Sequence, residues 1–213
     1  MWYLPLAFAL AVLSGISGMN TTAIMVICVW KKPEVITQDP LTNPKIRDTI
    51  NTSKRKEVDT MLKMICFDMD GTIAVLYKVP DWLPMLRASD PTPYMVAPPM
   101  WDMIELANLL QQVQASGIEV RIITWLSKDS TPDYDREVRE AKRKWLMEQG
   151  IPFDHFHGVA YGATKADSVR RYLGEGETAI LFDDNAKVRQ GWHLGEAIDP
   201  TSINILEVLR GLL

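Results

Sequence analysis

Cysteine is scarce in this chain: Cys28 and Cys66 are the only two among 213 residues. Cys28 lies in an apolar stretch near the amino terminus, and Cys66 lies inside a separate apolar run. This usage gives no support for a disulfide framework, which argues against the class of small disulfide-held proteins. Cys66 is instead predicted to be a small buried residue of the core.

An excess of basic residues is also missing. Lys and Arg total 23 and Asp and Glu total 27, so the formal net charge is -4 at pH 7. Proteins that bind nucleic acid through a general electrostatic field carry a basic face. The charge therefore predicts no general nucleic-acid binding, although a local groove is compatible with it. The length allows one modest domain with an appendage.

Charged side chains are absent from the first thirty residues. Residues 1–30 are mostly apolar, and a stretch of that length can cross a hydrocarbon core of roughly 30 Å. Lys31 and Lys32 follow at once, with further basic residues before residue 61. The positive-inside rule places that side in the cytoplasm. We therefore expect a membrane anchor at residues 1–30 and a following domain that faces the cytoplasm.

Two other interpretations of this segment stay open. A cleaved signal peptide fits less well, because nothing basic precedes the apolar run. Alternatively, the segment is an extension upstream of a start at Met61 or Met64, and the protein is then cytoplasmic and soluble.

Residues 31–60 are polar, contain three prolines and show little periodicity, which is typical of a linker. Residues 61–213 form the main domain in either case.

An apolar strand that ends in two aspartates is the most informative feature of the chain. The run reads Ile65-Cys66-Phe67-Asp68-Met69-Asp70-Gly71-Thr72. Residues two apart share a face of a strand, so Asp68 and Asp70 emerge together at its carboxyl end, where open α/β sheets place their ligands. Gly71 lets the backbone turn sharply there. This layout is typical of metal-dependent phosphoryl transfer.

Three later motifs extend this pattern. Thr124 ends one apolar run, Lys165 lies near the start of a predicted helix, and Asp183 and Asp184 end another apolar run. A single Thr or Lys in such a place is usually structural. Carboxylates at strand ends repel each other unless a cation is present, so the second acidic pair strengthens the prediction of a metal site.

In this order the four motifs resemble the signatures of the haloacid dehalogenase-like (HAD) hydrolases. Most members of that superfamily are magnesium-dependent phosphatases that work through an aspartyl-phosphate. The resemblance implies that Asp68 is the nucleophile and that Asp70 is the general acid and then the general base. It also implies that Thr124 and Lys165 bind phosphate oxygens.

The same resemblance implies a Mg²⁺ site. Its ligands would be a carboxylate oxygen of Asp68, the main-chain carbonyl of Asp70 and the carboxylate of Asp184. Asp183 is an alternative or outer ligand. Asn185 either orients this acidic pair or caps the next helix.

Alternating strands and helices predict the fold class. We expect an α/β protein with a three-layer, Rossmann-like parallel sheet and helices on both faces. One helix is predicted over residues 99–116 and another over 165–173. The basic residues Arg136, Arg139 and Lys142 are expected on a solvated helix face.

Residues 73–98 form a proline-broken insertion that we interpret as a small flap over the site. Arg87 and Trp125 are candidate substrate-binding residues, together with Trp82 and Tyr94. Residues 183–192 are loosely similar to the 5'-deoxyribonucleotidase branch, but the short flap departs from that branch's larger cap.

These observations predict a Mg²⁺-dependent phosphomonoester hydrolase that acts on a small phosphorylated metabolite such as a nucleotide. One alternative is a phosphatase for a macromolecular substrate, either a phosphoprotein or a nucleic-acid end. Another is a membrane-tethered binding protein without turnover. The sequence does not determine the oligomeric state, the substrate, or which of Asp183 and Asp184 binds the metal directly.

Overall fold

The computed structural model describes residues 60–213, and the predicted anchor and all of the linker except Thr60 lie outside this range. The described residues form one five-stranded sheet. Its strands are β1 (Met61–Phe67), β2 (Glu119–Trp125), β3 (His155–Val159), β4 (Glu177–Phe182) and β5 (Ala197–Ile198). All pairs are parallel, in the order β3-β2-β1-β4-β5. The predicted parallel α/β sheet is confirmed, with β1 at its centre.

Residues 60–213 contain seven α-helices, of which the first six lie between strands and the last follows β5. They are α1 (Trp82–Arg87), α2 (Thr92–Val96), α3 (Met103–Ala115), α4 (Pro132–Glu148), α5 (Lys165–Val169), α6 (Ala186–Gly191) and α7 (Ile205–Gly211). Helix α3 begins later than predicted because the Asp102 side chain accepts hydrogen bonds from the amides of Ile104 and Glu105 and so caps it. Helix α5 is shorter than predicted and continues as a 3-10 turn, Arg170–Tyr172.

The central strand packs on both faces, as the alternation of its side chains requires. Ile65 and Phe67 belong to a core cluster that includes residues of α3, α4 and α7. Met64 and Cys66 point to the other face, in a cluster with residues of α5. Cys66 is fully buried, which confirms its predicted place in the core. The sheet is therefore covered by helices on both sides.

The insertion between β1 and α3 contains two short helices, α1 and α2, although its prolines suggested broken structure. Pro84 and Pro93 each lie in the first turn of a helix. A backbone N–H has no intrahelical partner in the first turn, so proline costs little there. The predicted flap exists, and it is partly helical.

Side-chain hydrogen bonds hold the flap to the rest of the domain, and two of them involve Tyr94 and Asp90. The hydroxyls of Tyr94 and Ser127 lie 2.9 Å apart, which joins α2 to the loop after β2. The hydroxyl of Tyr134, in α4, donates to the main-chain carbonyl of Asp90 at 3.1 Å. The flap is thus attached to two elements that also border the sheet edge.

Strand β5 was not predicted. It has only two residues, which pair with the end of β4 through Leu181 and Phe182. A pair of residues cannot show the alternation by which strands are recognised. Among residues 60–213, none of the helices combines the length and the apolar character needed to cross a bilayer.

Candidate active site

Three carboxylates meet at the carboxyl edge of the sheet. One oxygen from each of Asp68, Asp183 and Asp184 lies within 4.8 Å of the others. The sheet register explains the convergence, because Phe67 of β1 pairs with Phe182 of β4 and the aspartates follow directly. The two phenyl rings also stack, with centroids 4.9 Å apart. The two acidic motifs therefore start from adjacent, tightly packed positions.

Lys165 joins two of these carboxylates. Its Nζ lies 2.7 Å from Oδ1 of Asp68 and 2.7 Å from Oδ2 of Asp183, and the residue is only 3% exposed. Burial would lower the pKa of Lys165, but the attraction of the two carboxylates outweighs it and raises the pKa. Lys165 is therefore a permanent positive charge beside Asp68.

The two neighbouring aspartates differ in what their oxygens contact. Asp183 is fully buried; its Oδ2 accepts from Lys165 and its Oδ1 accepts from the main-chain amide of Asn185 at 2.8 Å. Asp184 is half-buried. Burial, with the nearby charges of Asp68 and Asp183, raises the pKa of Asp184 to about 7. Asp184 thus has the more available carboxylate of the two.

Both roles considered for Asn185 occur, through different atoms. Its side-chain oxygen accepts hydrogen bonds from the amides of Lys187 and Val188, which caps α6. Its main-chain amide orients Asp183. Arg189 in the same helix donates to the main-chain carbonyl of Asp183 at 2.7 Å. The acidic pair is therefore held from the side of α6.

Asp70 does not join the acidic cluster. Its Oδ2 lies 2.6 Å from Nζ of Lys142, a residue of α4 that is fully buried. The expectation that Lys142 lies on a solvated face is wrong, whereas Arg136 is exposed as expected. Burial raises the pKa of Asp70, and Lys142 opposes this rise. The two aspartates of the first motif thus have separate lysine partners.

The helical spacing contained a signal for Lys142. It follows Val138 by four residues and precedes Leu146 by four, and both of these are buried. Residues four apart lie on the same face of a helix, so Lys142 belongs to the apolar stripe of α4. A lysine on such a stripe needs an acidic partner in the interior.

Thr124 is fully buried at the end of β2. Its Oγ1 accepts a hydrogen bond from Nζ of Lys142 at 2.8 Å. The adjacent Trp125 is oriented by the bond that its Nε1 donates to the carbonyl of Ala163 at 2.9 Å. The second motif therefore contacts the first through Lys142.

Gly71 is crowded by the acidic edge. Its φ of +81° is a left-handed conformation, and a Cβ built on it would lie 2.7 Å from Cγ of Asp184 and 2.9 Å from Cε2 of Tyr77. Only glycine fits both the backbone and the space. Gly71 thus allows Asp184 to approach the first motif.

A cavity of about 490 Å³ lies above these groups. Asp68, Asp70 and Lys165 line it, whereas Thr124 is not among its lining residues. Its walls contain five aromatic side chains: Tyr77, Trp82, Tyr94, Trp125 and Tyr161. Two exposed basic residues, Arg87 and Lys128, also border it. The cavity therefore combines an acidic floor, aromatic walls and a basic rim.

Four of the five aromatic side chains in the walls form two pairs. The rings of Tyr77 and Trp82, both from the flap, have centroids 5.2 Å apart. The rings of Trp125 and Tyr161 are 5.1 Å apart, and Nζ of Lys165 lies 5.5 Å from the Trp125 ring. One pair thus borders the acidic cluster near Gly71, and the other borders it near Lys165.

All four predicted motifs are close to one edge of the sheet, around the end of β1. The chain resembles the HAD-like hydrolases. It does so in the order of its motifs and in the central place of the strand that precedes Asp68.

No protein-family model and no curated protein matches the chain. Solved structures that are similar include a candidate HAD-like phosphatase from Mesorhizobium loti, at 15% identity and a TM-score of 0.42, over 70% of this chain and 86% of that one. A D,D-heptose 1,7-bisphosphate phosphatase from Burkholderia thailandensis has 15% identity and a TM-score of 0.39, over 63% and 74%. A hypothetical protein from Xanthomonas campestris has 16% identity and a TM-score of 0.39, over 66% and 65%. At such low similarity, function must be inferred from this chain's own residues.

The acidic cluster is suited to a metal ion. The cluster holds three carboxylates, and the ammonium of Lys165 pairs with only two of them, Asp68 and Asp183, so negative charge is in excess. Burial, and after it the repulsion from Asp68 and Asp183, raises the pKa of Asp184, and a bound cation would relieve that repulsion. Carboxylate oxygens are the ligands that hard divalent cations prefer.

Proposed function

We propose that this protein is a Mg²⁺-dependent phosphomonoester hydrolase that works through an aspartyl-phosphate, with residues 61–213 as its catalytic domain. The observation that carries the proposal is the pairing of Asp68 with Lys165 at 2.7 Å in an acidic cluster, beside a separately held Asp70. This arrangement offers a nucleophile, a cation for phosphate and a second carboxyl group for proton transfer.

The reaction has two steps. In the first, a carboxylate oxygen of Asp68 bonds to phosphorus while the bond between phosphorus and the ester oxygen breaks, and Asp70 gives its proton to that leaving oxygen. In the second, water attacks the same phosphorus and passes a proton to Asp70. The bond between Asp68 and phosphorus then breaks, which releases phosphate and restores both carboxyl groups.

Lys165 binds phosphate oxygens in this scheme, because its ammonium already lies beside the nucleophile. Mg²⁺, held by Asp68, the main-chain carbonyl of Asp70 and Asp184, would supply positive charge against the transferred phosphoryl group. Asp183 would not bind the metal directly, since Lys165 and Asn185 occupy both of its carboxylate oxygens. The buried hydroxyl of Thr124 contacts Lys142, which favours a supporting role over direct binding of phosphate.

We further propose that the substrate is a small phosphorylated metabolite such as a nucleotide. The cavity of about 490 Å³ is in the size range of small-molecule sites. Its aromatic pairs offer flat faces for a ring, and Arg87 at the rim can bind a second polar group. The likeness to the 5'-deoxyribonucleotidase branch stays a prediction.

The exposed rim favours one alternative substrate class. Tyr77 is 52% exposed and Tyr161 is 56% exposed, so the cavity is accessible from solvent at both aromatic pairs. A phosphorylated side chain of a protein, or the phosphorylated end of a nucleic acid, could therefore reach the carboxylates.

Phosphate release by the full-length chain tests the activity. We expect release in Mg²⁺, loss of release in EDTA, and no release by Asp68→Asn. Asp133→Asn is the matched control, because Asp133 is an exposed aspartate of α4, and it should behave as wild type. Metal-independent release, or release by Asp68→Asn, would refute the mechanism.

A matched substrate pair tests the aromatic walls. Adenosine 5'-monophosphate and ribose 5-phosphate differ only in the base, so the ratio of their kcat/KM values measures the contribution of the ring. We expect a ratio above one that Trp125→Leu lowers by roughly tenfold, as stacking contributes about 1–3 kcal/mol. Phosphopeptides and 3'-phosphorylated oligonucleotides, tested in parallel, would show the macromolecular alternative by higher kcat/KM values.

A further inference from the structure

Lys142 is a fully buried lysine with three hydrogen-bond acceptors. Its Nζ lies 2.6 Å from Oδ2 of Asp70, 2.8 Å from Oγ1 of Thr124 and 2.8 Å from the main-chain oxygen of Trp125. An ammonium group has three N–H donors, so each donor has one acceptor. The ring centroid of Tyr94 lies 4.5 Å from Nζ and adds a cation–π contact.

We propose that Lys142 is a positioning residue for Asp70, an inference that rests on the proposed function. Two of the three acceptors belong to the end of β2, so the sheet itself determines where Nζ lies. The third hydrogen bond then fixes the Asp70 carboxyl group relative to β2. Lys142 thereby joins the end of β2 to the proton-transfer group that follows β1.

The contact also distinguishes the two oxygens of Asp70. Lys142 occupies Oδ2, whereas Oδ1 receives none of the three hydrogen bonds that Lys142 donates. Asp70 lines the cavity beside Asp68. Oδ1 is therefore the atom that gives the proton to the leaving oxygen and later takes one from water.

A purely structural role explains Lys142 poorly. A buried ion pair is weak evidence for stability, because apolar residues of similar volume often stabilise a protein as well or better. The stripe residues of α4 around it, such as Val138 and Leu146, are apolar, so the packing of the helix itself requires no charge at this position. What a lysine adds is the orientation of Asp70.

A positioning role has a kinetic signature that a structural role lacks. General acid catalysis matters most when the leaving oxygen is a poor leaving group, as in glycerol 3-phosphate. It matters least for p-nitrophenyl phosphate, which releases a stable phenolate. The ratio kcat/KM covers substrate binding and the first chemical step but not the hydrolysis of the phosphoenzyme, so the later use of Asp70 as a base does not affect the comparison.

The test is to measure kcat/KM of full-length Lys142→Met on both substrates. We expect kcat/KM to fall by about 10- to 100-fold on glycerol 3-phosphate, which does not exceed the usual rate contribution of a general acid. On p-nitrophenyl phosphate it should fall by less than about threefold. Asp70→Asn should show the same selectivity with a larger loss. Lys144→Met, which removes an exposed lysine of the same helix, should match wild type on both.

The outcomes separate the two proposals. A wild-type protein that hydrolyses neither substrate, nor any other phosphomonoester, would refute the proposed function. An active wild type with equal losses on both substrates in Lys142→Met would refute the positioning role alone. If thermal melting shows that Lys142→Met is unfolded, Thr124→Val decides, because it removes one acceptor of Lys142. It should give the same selective loss at a smaller size, and an equal loss on both substrates would again refute the role.

Discussion

The Nζ atom of Lys165 lies 2.7 Å from Oδ1 of Asp68, in a pair that is almost wholly buried. Removal of the lysine would leave Asp68 beside two other carboxylates without a cation. We expect Lys165→Met to lower kcat/KM by at least about 100-fold, the usual effect of losing a group that stabilises transition-state charge. The measurement is steady-state phosphate release. Lys187→Met, at an exposed position of α6, should keep wild-type activity, and an active Lys165→Met would contradict the assigned role.

The acidic cluster should make the metal-free protein sensitive to pH. The pKa of Asp184 is raised to about 7 and that of Asp183 to about 6, whereas the unfolded value is about 3.9. Folding therefore favours the protonated forms, and stability from these groups is lost as pH rises from about 4 to about 7. In EDTA, Asp184→Asn should melt above wild type near pH 8, with a smaller difference near pH 4.

Mg²⁺ should reverse this effect in wild type, because it binds the deprotonated carboxylates. We expect Mg²⁺ to raise the melting temperature of wild type near pH 8 and to have little effect on Asp184→Asn. An equal rise in both proteins would place the metal elsewhere.

Gly71 and Gly117 form a matched pair for testing crowding at the site. Both have a positive φ, +81° and +89°, but only Gly71 has atoms within reach of an added Cβ. Gly117→Ala should cost about 1 kcal/mol of stability through backbone strain alone and keep full activity. Gly71→Ala should cost more and should also lower activity, since its methyl group displaces Asp184. Chemical denaturation measures the loss of stability, and phosphate release measures the loss of activity. Equal losses in the two variants would contradict the close approach of Asp184 to Gly71.

The stacked rings of Phe67 and Phe182 precede the two acidic motifs directly. Both residues are fully buried, so we expect Phe182→Ala to reduce the free energy of unfolding by about 3–5 kcal/mol. Activity per folded molecule should fall as well. Asp183 is the next residue in the chain, and the void left by the lost phenyl ring would loosen its position. Urea denaturation gives the stability. Met147→Ala, at a position that is 72% exposed, should change it by less than about 0.5 kcal/mol.

Arg87 should contribute to substrate binding and not to chemistry. It lies at the exposed rim of the cavity, so Arg87→Gln should raise KM without changing kcat. The rise should be about 1.5- to fivefold, as for an exposed charge contact. Arg136→Gln is the control, since Arg136 is an exposed arginine of α4. A fall in kcat alone would contradict a binding role.

The sequence predicted the parts of the fold that are encoded locally. The apolar runs before Asp68 and Asp183 are continuous and end in polar residues, which predicted parallel strands whose ends meet. The flap helices were missed because Pro84 and Pro93 suggested interruption, whereas each lies in a first turn that tolerates proline.

The contact between Lys142 and Asp70 could not be predicted in the same way. The two residues are 72 positions apart in the chain, and their meeting depends on how α4 packs beside β2. The spacing of Lys142 from Val138 indicated a buried position, but it did not identify the acidic partner. The same holds for the pair of Trp125 and Tyr161, in which Tyr161 reaches Trp125 only after β2 and β3 have paired.

The attachments of the flap bear on how the protein would exchange its ligands. Tyr94 bonds to Ser127 and Tyr134 bonds to Asp90, so the flap is tied both to the loop after β2 and to α4. Swinging the flap away would break these bonds and uncover Lys142 beneath the Tyr94 ring. Entry past the exposed edges of Tyr77 and Tyr161 breaks none of them. For the proposed activity we therefore expect substrate to enter and phosphate to leave along this exposed path while the flap stays attached.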